Sequence, residues 1–307
     1  MVATPRNEPN TTFDDLVNAY AEAGNLSEVT MVWVSPSGIG EFAQLNQSRV
    51  VEGVRVYGLK PVITLNFATM VQVPGVGIEY VIDAPPGVAA NLSDPAFRQL
   101  WVGEARAIAQ AFSPEYFSLG NEVNDYFYYH PEDLGAYATL FDEAYHAIKE
   151  VSPGTKVMVV FSYNHMSDND QFGLLTLFSN RTDLIGLTTY PWQDFGSPGD
   201  IPADYYAKIR LFTNRTVAFT EIGWISSPGG GSSEGEQAEF LVQFLNLTKS
   251  LDVEMVNWLF LHEPKLNGTV AMITDPQVTS IALKNANGSK KVVYYLWQDL
   301  KELSVVR

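Results

Sequence analysis

Apolar residues in this chain fall into short unbroken runs, and between the runs they recur at helical spacing. Residues 29–34, 61–67, 116–120, 156–161, 184–189, 216–220 and 253–261 are almost wholly apolar stretches of strand length, and residues 2–5 make a further short apolar start. Strands that lack polar alternation are buried on both faces, as in parallel sheets. The intervening segments read as helices. Thr12 and Asp15 have capping-box spacing ahead of Phe13, Leu16, Val17 and Tyr20. Residues 42–57 are amphipathic and stop at Gly58, and Asp94-Pro95 opens a helix that runs to Phe112. Further helices are expected over 131–151, 172–178, 204–212 and 233–251, with a closing one over 291–303. Residues 68–94 are a long insertion rich in Pro and Gly, and 126–130 is a tyrosine-rich loop.

Eight strands, each followed by a helical segment, predict an α/β chain folded as one (β/α)₈ TIM barrel over residues 1–307. An open doubly wound sheet is the competitor. It would usually carry a glycine-rich phosphate turn after its first strand, and none is seen.

Composition narrows the function classes. The net charge of −16 disfavours nucleic acid and anionic membrane as partners. No run approaches the ~18 apolar residues of a membrane span. Cysteine is absent, which excludes disulfides and thiolate metal sites. Charged residues make up 18%, so the surface is rich in uncharged polar groups. Asn10, Asn25, Asn46, Asn91, Asn180, Asn214, Asn246, Asn267 and Asn287 each open an Asn-x-Ser/Thr sequon, half of the eighteen asparagines. Sequons accept glycans only in an exported protein, so an extracellular glycoprotein is expected. The amino-terminal residues have no basic n-region or long apolar stretch, so a leader is expected to be missing from this sequence.

In a (β/α)₈ barrel the active site lies at the carboxyl ends of the strands. Polar and aromatic side chains gather there. Ser35 follows 29–34, Asn66 closes 61–67, and Asn121-Glu122 follow 116–120. Tyr190 and Trp192 follow 184–189, while Glu221 and Trp224 end the seventh run. Trp258, His262 and Glu263 mark the eighth. The fourth and seventh strands lie on roughly opposite sides of an eight-strand ring. Glu122 and Glu221 are therefore placed to flank one bond, the arrangement that glycoside hydrolysis requires. A carboxyl separation of about 5–5.5 Å makes such a reaction retaining, and about 6.5–9.5 Å makes it inverting. Two close carboxyls cannot both ionise easily, so their roles divide. Glu122 is assigned as acid/base and Glu221 as nucleophile. Asn121 is placed to hold the sugar 2-hydroxyl, and Tyr190 to donate to the nucleophile. Trp33, Trp192, Trp224 and Trp258 are candidate platforms for pyranose rings, with Asn66 and His262 as further sugar contacts.

The stretches Gly120-Asn121-Glu122-Val123-Asn124 and Thr220-Glu221-Ile222-Gly223-Trp224 resemble those of the clan A retaining glycoside hydrolases. That superfamily carries Asn-Glu after strand four and Glu after strand seven. The resemblance covers nearly the whole chain and looks closest to endo-β-1,4-galactanase-like and cellulase-like members. It implies a retaining, double-displacement reaction on a β-linked polysaccharide or oligosaccharide, with no cofactor. The chain lacks the Arg that such enzymes often place near strand two and the His just before the strand-six Tyr. The resemblance therefore does not extend to a particular sugar.

The four histidines, His130, His146, His165 and His262, show no His-x-His or His-Glu-x-x-His spacing, so no metal site is expected. No Gly-x-Ser-x-Gly elbow is present either. Two other readings use the same barrel. A transglycosylase would let a sugar acceptor replace water, and an inactive barrel would only bind carbohydrate.

Overall fold

The computed structural model describes residues 1–7, 10–34, 49–73, 75, 77–264 and 276–302. Seven strands form one parallel sheet. They are β1 (Val29–Val34), β2 (Lys60–Leu65), β5 (Tyr116–Ser118), β6 (Lys156–Ser162), β7 (Leu184–Thr189), β8 (Val217–Ile222) and β9 (Val253–Trp258), hydrogen-bonded in that order. All neighbours are parallel, so every carboxyl end opens on one face. Every residue of β7 and β8 is buried, the burial expected of apolar strands covered on both sides.

The sheet is curled rather than open. Glu254 on β9 accepts a hydrogen bond from Tyr116 on β5 at 2.9 Å and pairs with Lys156 on β6. Those strands lie three and four places away in the sheet order, so only curvature brings them within reach.

The predicted first strand, residues 2–5, does not form as a strand. Residues 1–2 nevertheless lie between the sheet edges: Val2 donates to the Trp258 carbonyl at 3.0 Å, and Leu261 donates to that of Val2 at 2.9 Å. The Met1 nitrogen donates to the Val29 carbonyl at 2.8 Å. The segment then bends, because the Thr4 N–H turns back to Val2 at 2.8 Å. Pro5 has no N–H to continue a ladder.

Ten α-helices occur among the described residues. α1 (Phe13–Leu26) starts with the reciprocal Thr12–Asp15 capping box. α2 (Val50–Val56) and α3 (Pro95–Phe112) follow, the latter capped by Asp94 through the N–H groups of Ala96 and Phe97. Next come α4 (Val123–Tyr129), α5 (Leu134–Val151), α6 (Tyr163–Asp168) and α7 (Gly173–Phe178). The last are α8 (Glu234–Thr248), α9 (Pro276–Thr279) and α10 (Val292–Glu302). No helix among the described residues is long and apolar enough to cross a membrane.

Three local expectations change. Residues 68–94 contain an antiparallel hairpin, β3 (Ala68–Val73) with β4 (Gly77–Ile82), in place of an irregular insertion. Most of the tyrosine-rich loop is the end of α4. The helix expected over 204–212 is only a 3₁₀ turn, Ala207–Leu211. Such tight turns serve as short connectors where a full α-helical nucleus is not supported. Residues 42–48 of the second predicted helix, together with Ser35, lie outside the described residues.

Candidate active site

The site is built where the chain leaves β5. Gly120 has φ +109°, and a Cβ there would stand 2.6 Å from Val123 Cγ1, so both the backbone and the space demand glycine. Ser118 Oγ donates to the Gly120 carbonyl at 2.6 Å, and the Tyr137 hydroxyl donates to that of Leu119. Asn66, at the end of β2, accepts the Asn121 N–H on its side-chain oxygen at 3.0 Å. Its own carbonyl accepts from Trp101 at 3.0 Å. Glu122 then sits in the left-handed region, φ 49° and ψ 42°, at the start of α4. That conformation costs a non-glycine residue about 1–2 kcal/mol, and such strain persists where surrounding contacts enforce it.

Each carboxylate is held by a residue that neighbours the other. Thr188 on β7 is the register partner of Glu221 on β8, and its hydroxyl donates to Glu122 Oε1 at 2.6 Å. Asn121 adjoins Glu122 in sequence, and its Nδ2 donates to Glu221 Oε1 at 3.3 Å. The Tyr190 hydroxyl, just after β7, donates to Glu221 Oε2. The two acids therefore face one space. Asn121 Oδ1 is buried there without a protein partner among the described residues.

Their electrostatics differ. Burial, then the charges of Asp125 and Glu221, push the Glu122 carboxyl up to about 8, against the opposing Thr188 hydrogen bond. Burial also raises Glu221, but hydrogen bonds from Tyr190 and Asn121 oppose it. Glu221 thus has two donors stabilising its anion, whereas Glu122 has one donor and an added anionic neighbour. The first proton belongs on Glu122. Tyr190 is raised well above an ordinary phenol, by burial first and then by both glutamates, so it stays a neutral donor.

Beside Glu122 lies a cleft of about 110 Å³, walled by Asn66, Met70, Tyr80 and Tyr126 among others. No Lys or Arg is among the residues lining it. Asp125 lies behind this wall, one helical turn from Glu122, with Tyr80 and His165 on its carboxylate.

The predicted residues separate into two groups. Glu122, Glu221, Asn121 and Tyr190 are joined directly, and Asn66 supports Asn121 while lining the cleft. Trp192 is half-buried, with an indole N–H that has no partner among the described residues, and Trp33 is exposed near the carboxyl end of β1. Trp224 and Trp258 are not platforms at the mouth, and His262 is not placed there as a sugar contact. Trp224 is buried, donates to Ser232 Oγ at 3.0 Å and stacks on Phe240 of α8. Trp258 is wholly buried, donates to the Ile281 carbonyl at 2.8 Å and packs on Trp297 of α10. His262 is buried against the Thr4 carbonyl at 3.1 Å, with Glu22 of α1 3.9 Å away. Glu263 pairs with the buried Lys291 at 2.7 Å.

Thr188, Asp125, His165 and Tyr80 were not singled out from sequence. The available signal was position: Thr188 ends a strand, Asp125 stands one turn after Glu122, and His165 follows the end of β6.

No protein-family model matches the chain, and no curated protein sequence matches it. Solved structures do share its fold. The exo-β-1,4-mannosidase Op5Man5 from Opitutaceae bacterium strain TAV5 superposes with a TM-score of 0.74 at 16% identity, over 97% of this chain. The chain spans only 58% of that mannosidase. A GH5_18 protein from Streptomyces cattleya, solved with Manb1-4GlcNAc, gives 0.69 at 13% identity over 95% of this chain and 76% of its own. The β-glycosidase BGL167 gives 0.65 at 12% identity over 99% and 91%. At these identities the likeness shows the fold alone, a curled parallel sheet covered by helices.

Proposed function

We propose that this chain is a retaining glycoside hydrolase acting on neutral β-linked oligosaccharide or polysaccharide, with Glu122 as acid/base and Glu221 as nucleophile. The observation that carries the reading is the reciprocal bracing of the two carboxylates. Thr188 beside Glu221 holds Glu122, and Asn121 beside Glu122 holds Glu221. The β-glycosidases of the same fold support β-linkage. A cleft lining without Lys or Arg and a net charge of −16 favour an uncharged sugar over a uronate.

The chemistry follows from which acid holds the proton. Protonated Glu122 donates to the departing glycosidic oxygen as ionised Glu221 attacks the anomeric carbon. Esterification removes the charge of Glu221, which relieves the repulsion that kept Glu122 protonated. Glu122, now an anion, takes a proton from the water that attacks the glycosyl ester, and both groups return to their starting states. Asn121 Oδ1 is free to accept from a sugar 2-hydroxyl while its Nδ2 steadies the nucleophile. Tyr190 keeps Glu221 ionised and aimed. The groove formed with the hairpin favours an internal cut over a terminal one.

Aryl β-glycosides together with glucan, galactan and mannan polymers test the activity. Glu122→Gln is expected to lower kcat by about 10²–10⁴-fold on poor leaving groups, the usual contribution of a general acid. Glu221→Gly is expected to be inactive until azide is added, and then to yield the product of inverted configuration. Full activity in both variants, or azide product only from a variant at 122, would reject the assignment.

A further inference from the structure

Asp125 is a buried carboxylate that the reaction above does not use. It is held from two other elements. Oδ1 lies 2.6 Å from His165 Nδ1 on α6, and Oδ2 accepts from the Tyr80 hydroxyl of β4 at 3.5 Å. Tyr80 lines the cleft with Glu122, and Tyr128 of α4 packs edge-on against the His165 ring at 5.1 Å. The arrangement fixes a carboxylate–imidazole pair one helical turn behind the proposed acid. We propose that Asp125 and His165 are positioning residues that together set the charge felt by Glu122, a role that rests on Glu122 being the acid/base.

Asp125 meets Glu122 on its own helix, His165 on α6 and Tyr80 on β4. His165 meets Asp125 and, on its own helix, Asp168. Glu122 meets Asp125, Glu221 on β8 and Thr188 on β7. With His165 protonated, the Asp125–His165 pair is neutral as a unit and presents Glu122 with little net charge. Once His165 loses its proton, Asp125 stands as a bare anion and Glu122 holds its own proton more firmly. The hydrogen bond with Asp125 raises the imidazole above its ordinary value, against the opposing effect of burial, so the cation persists to higher pH than on a free imidazole. The pair thereby keeps the acid protonated as the medium becomes more alkaline. Tyr80 adds a mechanical tie, because the hairpin that walls the cleft is bonded to the same carboxylate.

The test is a carboxyl ¹³C NMR titration of Glu122 in the full chain, assigned by loss of its signal in Glu122→Gln. Asp125→Asn keeps the shape and removes the charge; the Glu122 midpoint is expected to fall by about one pH unit. His165→Gln removes the cation, and the midpoint is expected to rise. In the Asp125→Asn/His165→Gln double variant the effect of the histidine change should vanish, because it acts only through Asp125. An unmoved midpoint in both single variants overturns the proposal, as does a histidine effect that persists without Asp125. The kcat/KM profile on an aryl glycoside supplies the kinetic readout: its alkaline limb should move with the NMR midpoint. A merely structural role would lower kcat by one factor at every pH and leave the limb in place. The titration needs no turnover. Shifted midpoints in a chain whose Glu122→Gln variant hydrolyses normally would therefore reject the glycosidase reading separately from this one.

Discussion

Glu122 and Glu221 are the same residue type facing one space, yet the fold treats them differently. Burial acts on both, so what separates them is one donor against two and the presence of Asp125. This has a consequence for stability that needs no substrate. Glu122 binds its proton more tightly folded than unfolded, so its contribution to stability is complete below the unfolded carboxylate value of about 4.3 and is lost as pH rises through about 8. Glu122→Gln removes that loss. Its melting temperature is expected to exceed that of the wild type at pH 8.5, by the equivalent of roughly 1–3 kcal/mol, with the gap closing near pH 4. Thermal melts at the two pH values decide it, and a gap that is the same at both would show that Glu122 is not held protonated. Tyr190→Phe acts on the other acid. Without the phenol donor Glu221 ionises less readily, so the acidic limb of kcat/KM should move to higher pH. The maximum should fall about 10–100-fold, the worth of a hydrogen bond to a charged group.

At the scale of elements, the hairpin β3–β4 walls the cleft at the carboxyl ends of the curled sheet. Tyr80 stacks on Tyr129 of α4 at 5.6 Å, the Tyr80 carbonyl meets His130 Nε2 at 3.0 Å, and Asp83 N–H closes onto the Phe67 carbonyl at 2.9 Å. Replacing residues 70–80 by a short Gly-Ser linker is expected to raise KM for oligosaccharides far more than for a small aryl glycoside. Equal effects on both would mean that the hairpin serves stability alone. This hairpin was not legible in the sequence, whereas the parallel strands were. Buried strands announce themselves as apolar runs, but β4 has two exposed residues, Gly75 lies in a turn and Gly77 opens the strand, so the segment reads as a loop. α4 was hidden for a related reason: its seven residues include four aromatics and no strong helix former except by context. The two glutamates were legible because their positions at strand ends depend only on chain order. The direction of a strand-end tryptophan depends on residue parity, and the β8–β9 register shifts between Val217 and Ala218 and again between Phe219 and Ile222. A bulge resets which face a side chain takes. Trp258 and Trp224 consequently sit among the covering helices, where the sequence suggested a sugar platform.

The whole molecule has two ends with different surfaces. The acids open at the carboxyl ends of the strands, and the turns that lead into strands lie at the opposite end. Asn25 precedes β1, Asn180 precedes β7, Asn214 precedes β8, and Asn246 on the last turn of α8 precedes β9. All four are exposed, as are Asn10, Asn91 and Asn287 among the described sequons. Their Ser or Thr partners are tied down: Thr182 donates to the Val157 carbonyl at 2.8 Å, Thr216 to Asp252 at 2.6 Å, and Thr248 to Phe244 at 2.8 Å. The hydroxyls thus have a structural reason to be present, and the asparagines still point to solvent. Export is an expectation from the sequons, and the topology gives it a specific form. Glycans on these four residues would clothe the end of the molecule where the strands begin and leave the cleft bare. Glycopeptide mapping of the protein from its native source is expected to find them occupied, and enzymatic deglycosylation is expected to leave kcat/KM on a small glycoside unchanged while lowering solubility. Unmodified asparagine at all four positions would mean that the sequons report only the hydrogen bonds that their hydroxyls make.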